Sequence, residues 1–471
     1  MSLALGLVAF LLAPLLDKGP PPTESGPAQQ AVDQLVADKA LKGLGLGADV
    51  RCTNDRLTWG THRADALMNP ASGAKLLTTA AALSLLAPDH TVATRVQGRL
   101  ADGTVTDASL VAGADPSLSV EDLGRLAELL KAAGVRRIVG PITFDLGIFD
   151  EVSSPPAYDM KNTDAGYRPE VPAFAVGSAV FTATVSPGKR VGDPVRVTTS
   201  LVANSLVIEN SAATIEGKKI DKLIVEARAG SDGRTRLIVS GALGSKAPPQ
   251  GVKKRLADPA RIAAELFVRA LAKKDIAVEG GIRFGTAPEA PELALLTSAP
   301  LADDVREINT TSNNFMAETV FKHLGTLDAD GPGTWEGAQK RTTAALVALG
   351  LTPDSFAVVN GSGLYDGTKV SAGAMTLLLA LEAGETAAAT AFRDSLAVAG
   401  QSGTLKGRLG RLKGKVLGKT GTLDNAVSLS GYVPSARCLL AFSVLVNGDI
   451  GGRVPAVNRR IDGFVLALSA L

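Results

Sequence analysis

Between Asn69 and Leu86 the chain carries a run, Ala71 to Leu86, that is apolar or small nearly all the way round a helix and holds one charge, Lys75. A helix with apolar residues on every face is stable only when other elements cover all of it, so this chain must build a layered domain around that run. Asn69 predicts the cap and Pro70 the first helical position, where its missing N–H costs nothing. With 471 residues, and roughly 150 residues to a domain, about three domains are expected. An apolar fraction of 45% with 20% charged residues excludes an intrinsically disordered chain. Lys plus Arg total 49 against 47 for Asp plus Glu, and aromatics make up 4%. That balance supplies neither a basic field for a phosphate backbone nor rings for stacking bases, so no nucleic-acid partner is expected.

Two cysteines, Cys52 and Cys438, cannot make a zinc site by themselves, and His62, His90 and His323 are scattered without HExxH spacing or a nearby CxxC. No metal site is expected. Leu3 to Leu16 is uninterrupted by charge and runs through Asp17 into Gly19-Pro20-Pro21-Pro22. Fourteen apolar residues are too few to span a bilayer core of about 30 Å as a helix, and match a signal-peptide core or a short uncleaved anchor. An exported protein with at most peripheral membrane association is the expectation.

Farther along, Ala28–Leu41 reads as an amphipathic helix, Asp49–Trp59 as strands, and Val120–Ala133 as a helix among short strands. Leu201–Glu209 and Leu223–Ala227 read as β-rich, and a helix begins at Asp258-Pro259. Helices dominate from the Pro-rich Ala287–Pro291 boundary to Ala388, and strands return from Lys415 to Val446. That order suggests one α/β domain split by a long insertion, its halves rejoined in space.

Three short patterns carry chemistry. Ser72-Gly73-Ala74-Lys75 puts a hydroxyl and an amine on one helix face, where a desolvated lysine can act as base for a weak serine nucleophile. The helix N-terminus adds positive potential where an oxyanion would form. Ser312-Asn313-Asn314 opens the helix Phe315–Leu324 and could contact that lysine and a substrate amide. Lys419-Thr420-Gly421-Thr422 reads as strand, with a cation and hydroxyls for a terminal carboxylate and a glycine that lets a substrate approach closely. Each also has a bland reading, as a snorkelling lysine, a helix cap or an edge-strand turn. In the order SxxK, SxN, KTG they form the signature of penicillin-binding proteins and serine β-lactamases.

On these motifs the sequence resembles the D-Ala-D-Ala carboxypeptidase/endopeptidases of the S13 peptidase family, the class C low-molecular-mass penicillin-binding proteins. Further matching blocks are Asn69-Pro70-Ala71-Ser72, Gly113-Ala114-Asp115-Pro116-Ser117-Leu118, Pro187-Gly188 with Val191-Gly192, Gly361-Ser362-Gly363-Leu364 and Gly403-Thr404-Leu405. The 240 positions between Ser72 and Ser312 fit the insertion that distinguishes this family. The resemblance implies an α/β (α+β) multi-domain fold, a β-lactamase-like catalytic domain with an antiparallel sheet and helices interrupted by a β-rich insertion. The boundaries expected are a leader and linker at 1–27, the catalytic domain at 28–95 and 290–471, an inserted α/β domain at 96–175 and 251–289, and a nested β-rich domain at 176–250.

The resemblance also implies the chemistry. Ser72, activated by Lys75, would attack the penultimate D-Ala carbonyl of a peptidoglycan stem peptide or a D-Ala-diaminopimelate cross-link. The backbone N–H groups of Ser72 and Thr422 would form the oxyanion hole, Ser312 would pass a proton to the leaving amine, and Asn314 would bind the acyl-side amide. Lys419, Thr420, Gly421 and Thr422 would line the leaving residue's carboxylate site. No metal or organic cofactor is implied, and β-lactams would be covalent inhibitors.

Two features depart from the family pattern. The middle motif is Ser-Asn-Asn, and the block Asn360-Gly361-Ser362-Gly363-Leu364 continues as Tyr365-Asp366 where arginine is common. Asp366, with Asp424, is expected to repel a substrate carboxylate and favour an amine. Asp145 resembles a family position reaching toward that subsite, and reads equally as a turn aspartate. Cys52 and Cys438 fall on strands that neighbour each other in such folds, as a disulfide or as two buried thiols. Two other readings of the chain are a β-lactamase or esterase on the same scaffold and a catalytically silent peptidoglycan-binding protein.

Overall fold

The computed structural model describes residues 26–328 and 331–471; the apolar run Leu3–Leu16 lies outside the described residues. Both ends of the described chain meet in one six-stranded antiparallel sheet. Its spatial order is Ala397–Val398, Leu417–Leu423, Ala426–Pro434, Leu439–Asn447, Gly45–Cys52 and Thr58–His62. The early strand pairs with the late one from Gly45 opposite Asn447 to Cys52 opposite Leu440. Cys52 and Cys438 form a disulfide at the end of this ladder, with their Cα atoms 6.1 Å apart.

Helices cover both faces of the sheet, which is why Ala426–Val433 and Leu440–Val446 are buried without the in-and-out alternation of a half-exposed strand. On one face Val32 of helix Pro27–Val36 and Ile461 and Val465 of helix Val454–Leu468 pack against Val50, Phe442 and Val444. On the other, helices Lys75–Leu86, Asn314–Leu324 and Ala372–Leu381 bring Leu76, Leu77, Phe321 and Leu378 against Ala441 and Leu445. The first helix stops at Val36, short of the expected Leu41, because Asp38 Oδ1 accepts from Ala40 N and starts a separate 3-10 turn, Lys39–Leu41.

Between the two halves lies a second body with its own core. A seven-stranded sheet runs Ala277–Val278, Arg137–Ile138, Thr104–Val111, Ala93–Ala101, Glu292–Thr297, with Ile142–Asp145 and Ile282–Phe284 attached beside it. Helices Val120–Ala132, closed by a Ser119/Asp122 capping box, and Pro259–Lys273, capped by Asp258, pack on it through Leu123, Leu126, Ile262 and Phe267. Strand Ala93–Ala101 straddles the boundary expected at 95, and Glu292–Thr297, expected in the catalytic domain from 290 onward, pairs with it in the inserted sheet. Two smaller sheets, one centred on Val180–Ser186 and one on Thr235–Gly244, share the same hydrophobic cluster.

The chain from Phe149 to Ala179 is a strap between the two bodies: Phe149, Ala173, Phe174 and Val176 pack in the core of the insertion, while other residues reach the helical core. Val171, Ala175 and Ala179 join that core, and Asn360 Nδ2 donates to Pro156 O at 2.9 Å. Its anchor is Lys322, whose ammonium is fully buried. Lys322 Nζ lies 2.6 Å from Asp150 Oδ1, donates to Val152 O at 2.8 Å, and sits over the rings of Phe149 and Trp335. Removing one partner of such a pair strands a buried charge. We expect Asp150→Ala to lower unfolding free energy by about 3 kcal/mol in denaturant titration, and Lys322→Met in that background to restore most of it. Equal stability of wild type and Asp150→Ala would show that this anchor carries no load.

Candidate active site

The nucleophile sits on a tighter turn than the sequence predicts. Ala71–Ala74 is a 3-10 turn and the α-helix begins at Lys75, while Asn69 Oδ1 accepts from Ala71 N at 2.8 Å instead of capping the α-helix. With three residues per turn, i and i+3 side chains eclipse, which brings Lys75 Nζ to 3.1 Å from Ser72 Oγ. Ala71 adopts φ 47°, a left-handed conformation costly for alanine. Two glycines hold it there. A Cβ on Gly363 would come 2.0 Å from Ala71 O, and one on Gly421 would come 2.3 Å from both Pro70 O and Ser428 Oγ. Gly421 therefore serves the seating of the strand on the nucleophile turn, not the close approach of substrate that the sequence suggested.

Lys75 is wholly enclosed. Its Nζ donates to Asn314 Oδ1 at 2.7 Å and to Ser362 O at 2.9 Å. Burial pushes its pKa down to about 7, against the charge of Glu318, which raises it. Glu318 is buried one helical turn beyond Asn314, and its carboxylate accepts from Gly361 N and Ser362 N, each at 2.9 Å. Tyr158, from the returning strap, places its hydroxyl 3.0 Å from Ser362 Oγ and 3.3 Å from Glu318 Oε1. Glu318 and Tyr158 were missed in the sequence; the i, i+4, i+8 spacing of Asn314, Glu318 and Lys322 on one helix face was the available signal for the first.

The other two motifs converge on the same place. Ser312 ends helix Leu301–Thr311 at φ 65° and Asn313 caps helix Asn314–Leu324, accepting from Met316 N at 3.2 Å. Lys419, on the buried face of strand Leu417–Leu423, donates to Ser312 Oγ at 2.9 Å and to Thr420 O at 2.8 Å. Burial and the neighbouring Lys75 hold its pKa well below the ordinary lysine value. Thr420 Oγ1 pairs with Thr404 Oγ1 at 2.8 Å, and Thr422 is exposed at the rim. Strand Ala397–Val398 pairs only with Leu417 and Gly418, so the outer edge from Lys419 to Leu423 has no strand partner among the described residues.

The remaining site expectations fare differently. Asp145 is not brought to this cluster: its carboxylate accepts from Gly147 N at 2.8 Å and Ala287 N at 2.7 Å, a turn aspartate inside the insertion. Asp366 Oδ1 accepts from Asn69 Nδ2 and Asn425 Nδ2, both at 2.8 Å, which ties it to the residue ahead of the nucleophile turn. Asp424 pairs with Lys161 of the strap at 2.7 Å. The acidic patch expected from Asp366 and Asp424 is thus accompanied by a lysine and engaged by amides, and does not stand as an unopposed amine site. His90 and His323 face each other at 5.7 Å in the interior, where burial and His90 push His323 down to about 4. Among the described residues no group of three or more His, Cys, Asp or Glu side chains could hold a metal ion.

A neutral Lys75 amine is the form that can take the Ser72 proton, so acylation should rise with pH through about 7 and level off above it. Glu318→Gln removes the negative charge that favours the ammonium, so the same limb should move to lower pH. Stopped-flow acylation by a chromogenic β-lactam across pH 5 to 9 checks both, and a limb unmoved by Glu318→Gln would separate that carboxylate from the base.

The sequence model of the D-Ala-D-Ala carboxypeptidase 3 (S13) family matches residues 28–468. A D-alanyl-D-alanine carboxypeptidase of Actinomadura sp. (strain R39) is 31% identical over 453 residues, covering 92% of this chain and 83% of that protein. Penicillin-binding protein 4 (dacB) of Haemophilus influenzae superposes with a TM-score of 0.82 at 20% identity, over 93% of this chain and 99% of that one. The same protein complexed with a β-lactam gives 0.77 at 21% identity over the same shares of each chain. A predatory peptidoglycan endopeptidase of Bdellovibrio bacteriovorus gives 0.52 at 17% identity, over 90% of this chain and 92% of that one. With the family matched along nearly its whole described length, this chain belongs to the D-Ala-D-Ala carboxypeptidase 3 (S13) family of serine peptidases.

Proposed function

We propose that this chain is a serine DD-peptidase that hydrolyses D-Ala-D-Ala termini, or D-Ala-diaminopimelate cross-links, of peptidoglycan stem peptides, and that β-lactams acylate it at Ser72. The observation that carries this reading is the 3.1 Å approach of the enclosed Lys75 amine to Ser72 Oγ. In the first step Ser72 Oγ bonds to the penultimate D-Ala carbonyl carbon while its proton passes to Lys75. The backbone N–H groups of Ser72 and Thr422 serve the developing oxyanion; the strand meets the turn at Gly421 and Pro70–Ala71, one residue from each. The C–N bond then breaks, and Ser312, linked to Lys419, relays to the leaving amine the proton that Lys75 took, which leaves Lys75 neutral again. Water attacks the acyl-enzyme while giving a proton to Lys75, and Lys75 returns it to Oγ as the carbonyl–Oγ bond breaks, releasing the acid and free Ser72.

The open edge of strand Leu417–Leu423 suits an extended peptide added as a further strand, with its terminal carboxylate beside Lys419, Thr420 and Thr422. Asn314 Nδ2 now donates to Tyr167 O at 2.6 Å; an acyl-side carbonyl takes that donor in its place. Residues 28–92 and 298–471 with the strap form the catalytic unit in this reading, and the seven-stranded and smaller sheets form the inserted units. The substrate class and the disulfide fit an extracytoplasmic location, and among the described residues no helix is long and apolar enough to cross a membrane.

Labelling with a fluorescent penicillin, followed over time beside Ser72→Ala and Lys75→Ala, is the test. Long-lived label on wild type, absent from both variants, together with D-Ala release from a D-Ala-D-Ala peptide, is the expected result. Rapid loss of label with penicillin consumed would replace this reading with a β-lactamase, and no label at all with a silent binding protein.

A further inference from the structure

Beside the SNN turn lies a groove of about 680 Å³, floored by Thr311–Phe315 and walled by Ala165–Tyr167, Ser178 and Lys253. It opens from Ser312 and Asn314 and includes no residue of strand Leu417–Leu423, so it lies on the acyl side of the cleft, away from the leaving-group carboxylate. Its volume falls in the range that holds small ligands.

Two charged side chains line it, Lys253 and Glu307, and most of its other polar groups are engaged. Asn314 Nδ2 donates to Tyr167 O, Asn313 Nδ2 to Ser178 Oγ at 2.9 Å, and Thr311 Oγ1 to Glu307 Oε1 at 2.8 Å. The neighbouring cations are also committed: Lys254 to Asp164 and Arg255 to Glu170, each at 2.6 Å, and Arg168 to Tyr158 O at 2.6 Å. Lys253 is exposed and has no ion-pair or hydrogen-bond partner among the described residues. Its stem runs against Gly166, where a Cβ would come 3.1 Å from Lys253 Cβ, and the bridge between Ala165 and Lys254 fixes that wall. Glu307 is engaged by Thr311 Oγ1 and pairs with no cation among the described residues, which leaves Lys253, an unpaired cation on a fixed wall of the groove, as the group that can recognise an anion.

We infer that Lys253 is a specificity-determining residue that binds a free carboxylate of the stem peptide upstream of the scissile bond, the α-carboxylate of its γ-linked glutamate. This rests on the DD-peptidase reading above and extends it to the donor strand. The peptide is then held at both ends by lysines, its C-terminus near Lys419 and its upstream carboxylate at Lys253.

Three peptides test this: L-Ala-γ-D-Glu-L-Lys-D-Ala-D-Ala, the same peptide with its glutamate α-carboxylate amidated, and diacetyl-L-Lys-D-Ala-D-Ala. Wild type should prefer the free carboxylate over the amide by about five- to tenfold in kcat/KM, a charge-assisted contact reduced by solvent. Lys253→Ala should abolish that preference and Lys253→Glu should reverse it, the loss being confined to the carboxylate-bearing peptide. No preference in wild type, or an equal loss on all three peptides in Lys253→Ala, would overturn the inference while leaving the peptidase reading intact. Inertness of wild type toward all three would overturn the peptidase reading and this inference with it.

Discussion

An enclosed amine, Lys75, is the group on which the rest of the structure depends. An ammonium without water is costly, and this one is held by Asn314 Oδ1, Ser362 O and the charge of Glu318. Those groups come from two segments more than 200 positions away in sequence, so the site exists only when both halves of the catalytic core have closed. The incomplete compensation is useful, because a lysine brought down to about 7 can exchange a proton with Ser72 near neutral pH. A closer anion would have made it a permanent cation.

Backbone crowding does the complementary work on Ser72. Ala71 is kept left-handed between Gly363 and Gly421, and Ser428 Oγ donates to Pro70 O at 2.6 Å beneath the turn. The strain sits one residue from the nucleophile and is balanced by the sheet below and the Gly361–Gly363 loop above. A side chain at either glycine would push the turn away from the strand, separating the two backbone N–H groups proposed to meet the oxyanion. The Ser72 turn, the Gly361–Gly363 loop and the KTG strand are one packed unit.

This explains which parts were legible in the sequence. The motifs at Ser72–Lys75, Ser312–Asn314 and Lys419–Thr422 could be read because each depends on local spacing, and the structure brings all three together. Two-sided burial is legible in Leu439–Val446, apolar but for Ser443, and not in Ala426–Pro434, where Ser428 and Ser430 are buried on the ladder. What stayed hidden depends on contacts across the chain. Tyr158 looks like a loop tyrosine until the strap docks through Lys322, and Gly421 looks like a substrate-facing glycine until Pro70 O is found where its Cβ would point. Asp145 and Asp366 have carboxylates that sequence could place but not partner; backbone amides took the first and asparagine side chains the second.

The two active-site lysines set the order in which the proposed reaction can proceed. Lys419 is buried and depressed partly by the charge of Lys75, so the unliganded pocket resists holding two ammonium groups. A substrate carboxylate placed against Lys419 favours its ammonium form, and its own charge offsets that ammonium, so the pocket can hold both lysines. Binding of the correct C-terminus therefore places a carboxylate–ammonium pair beside Ser312, the hydroxyl that touches Lys419. A peptide lacking that carboxylate would fill the cleft without forming the pair, so in the proposed reaction selection for a free terminus rests on the buried Lys419.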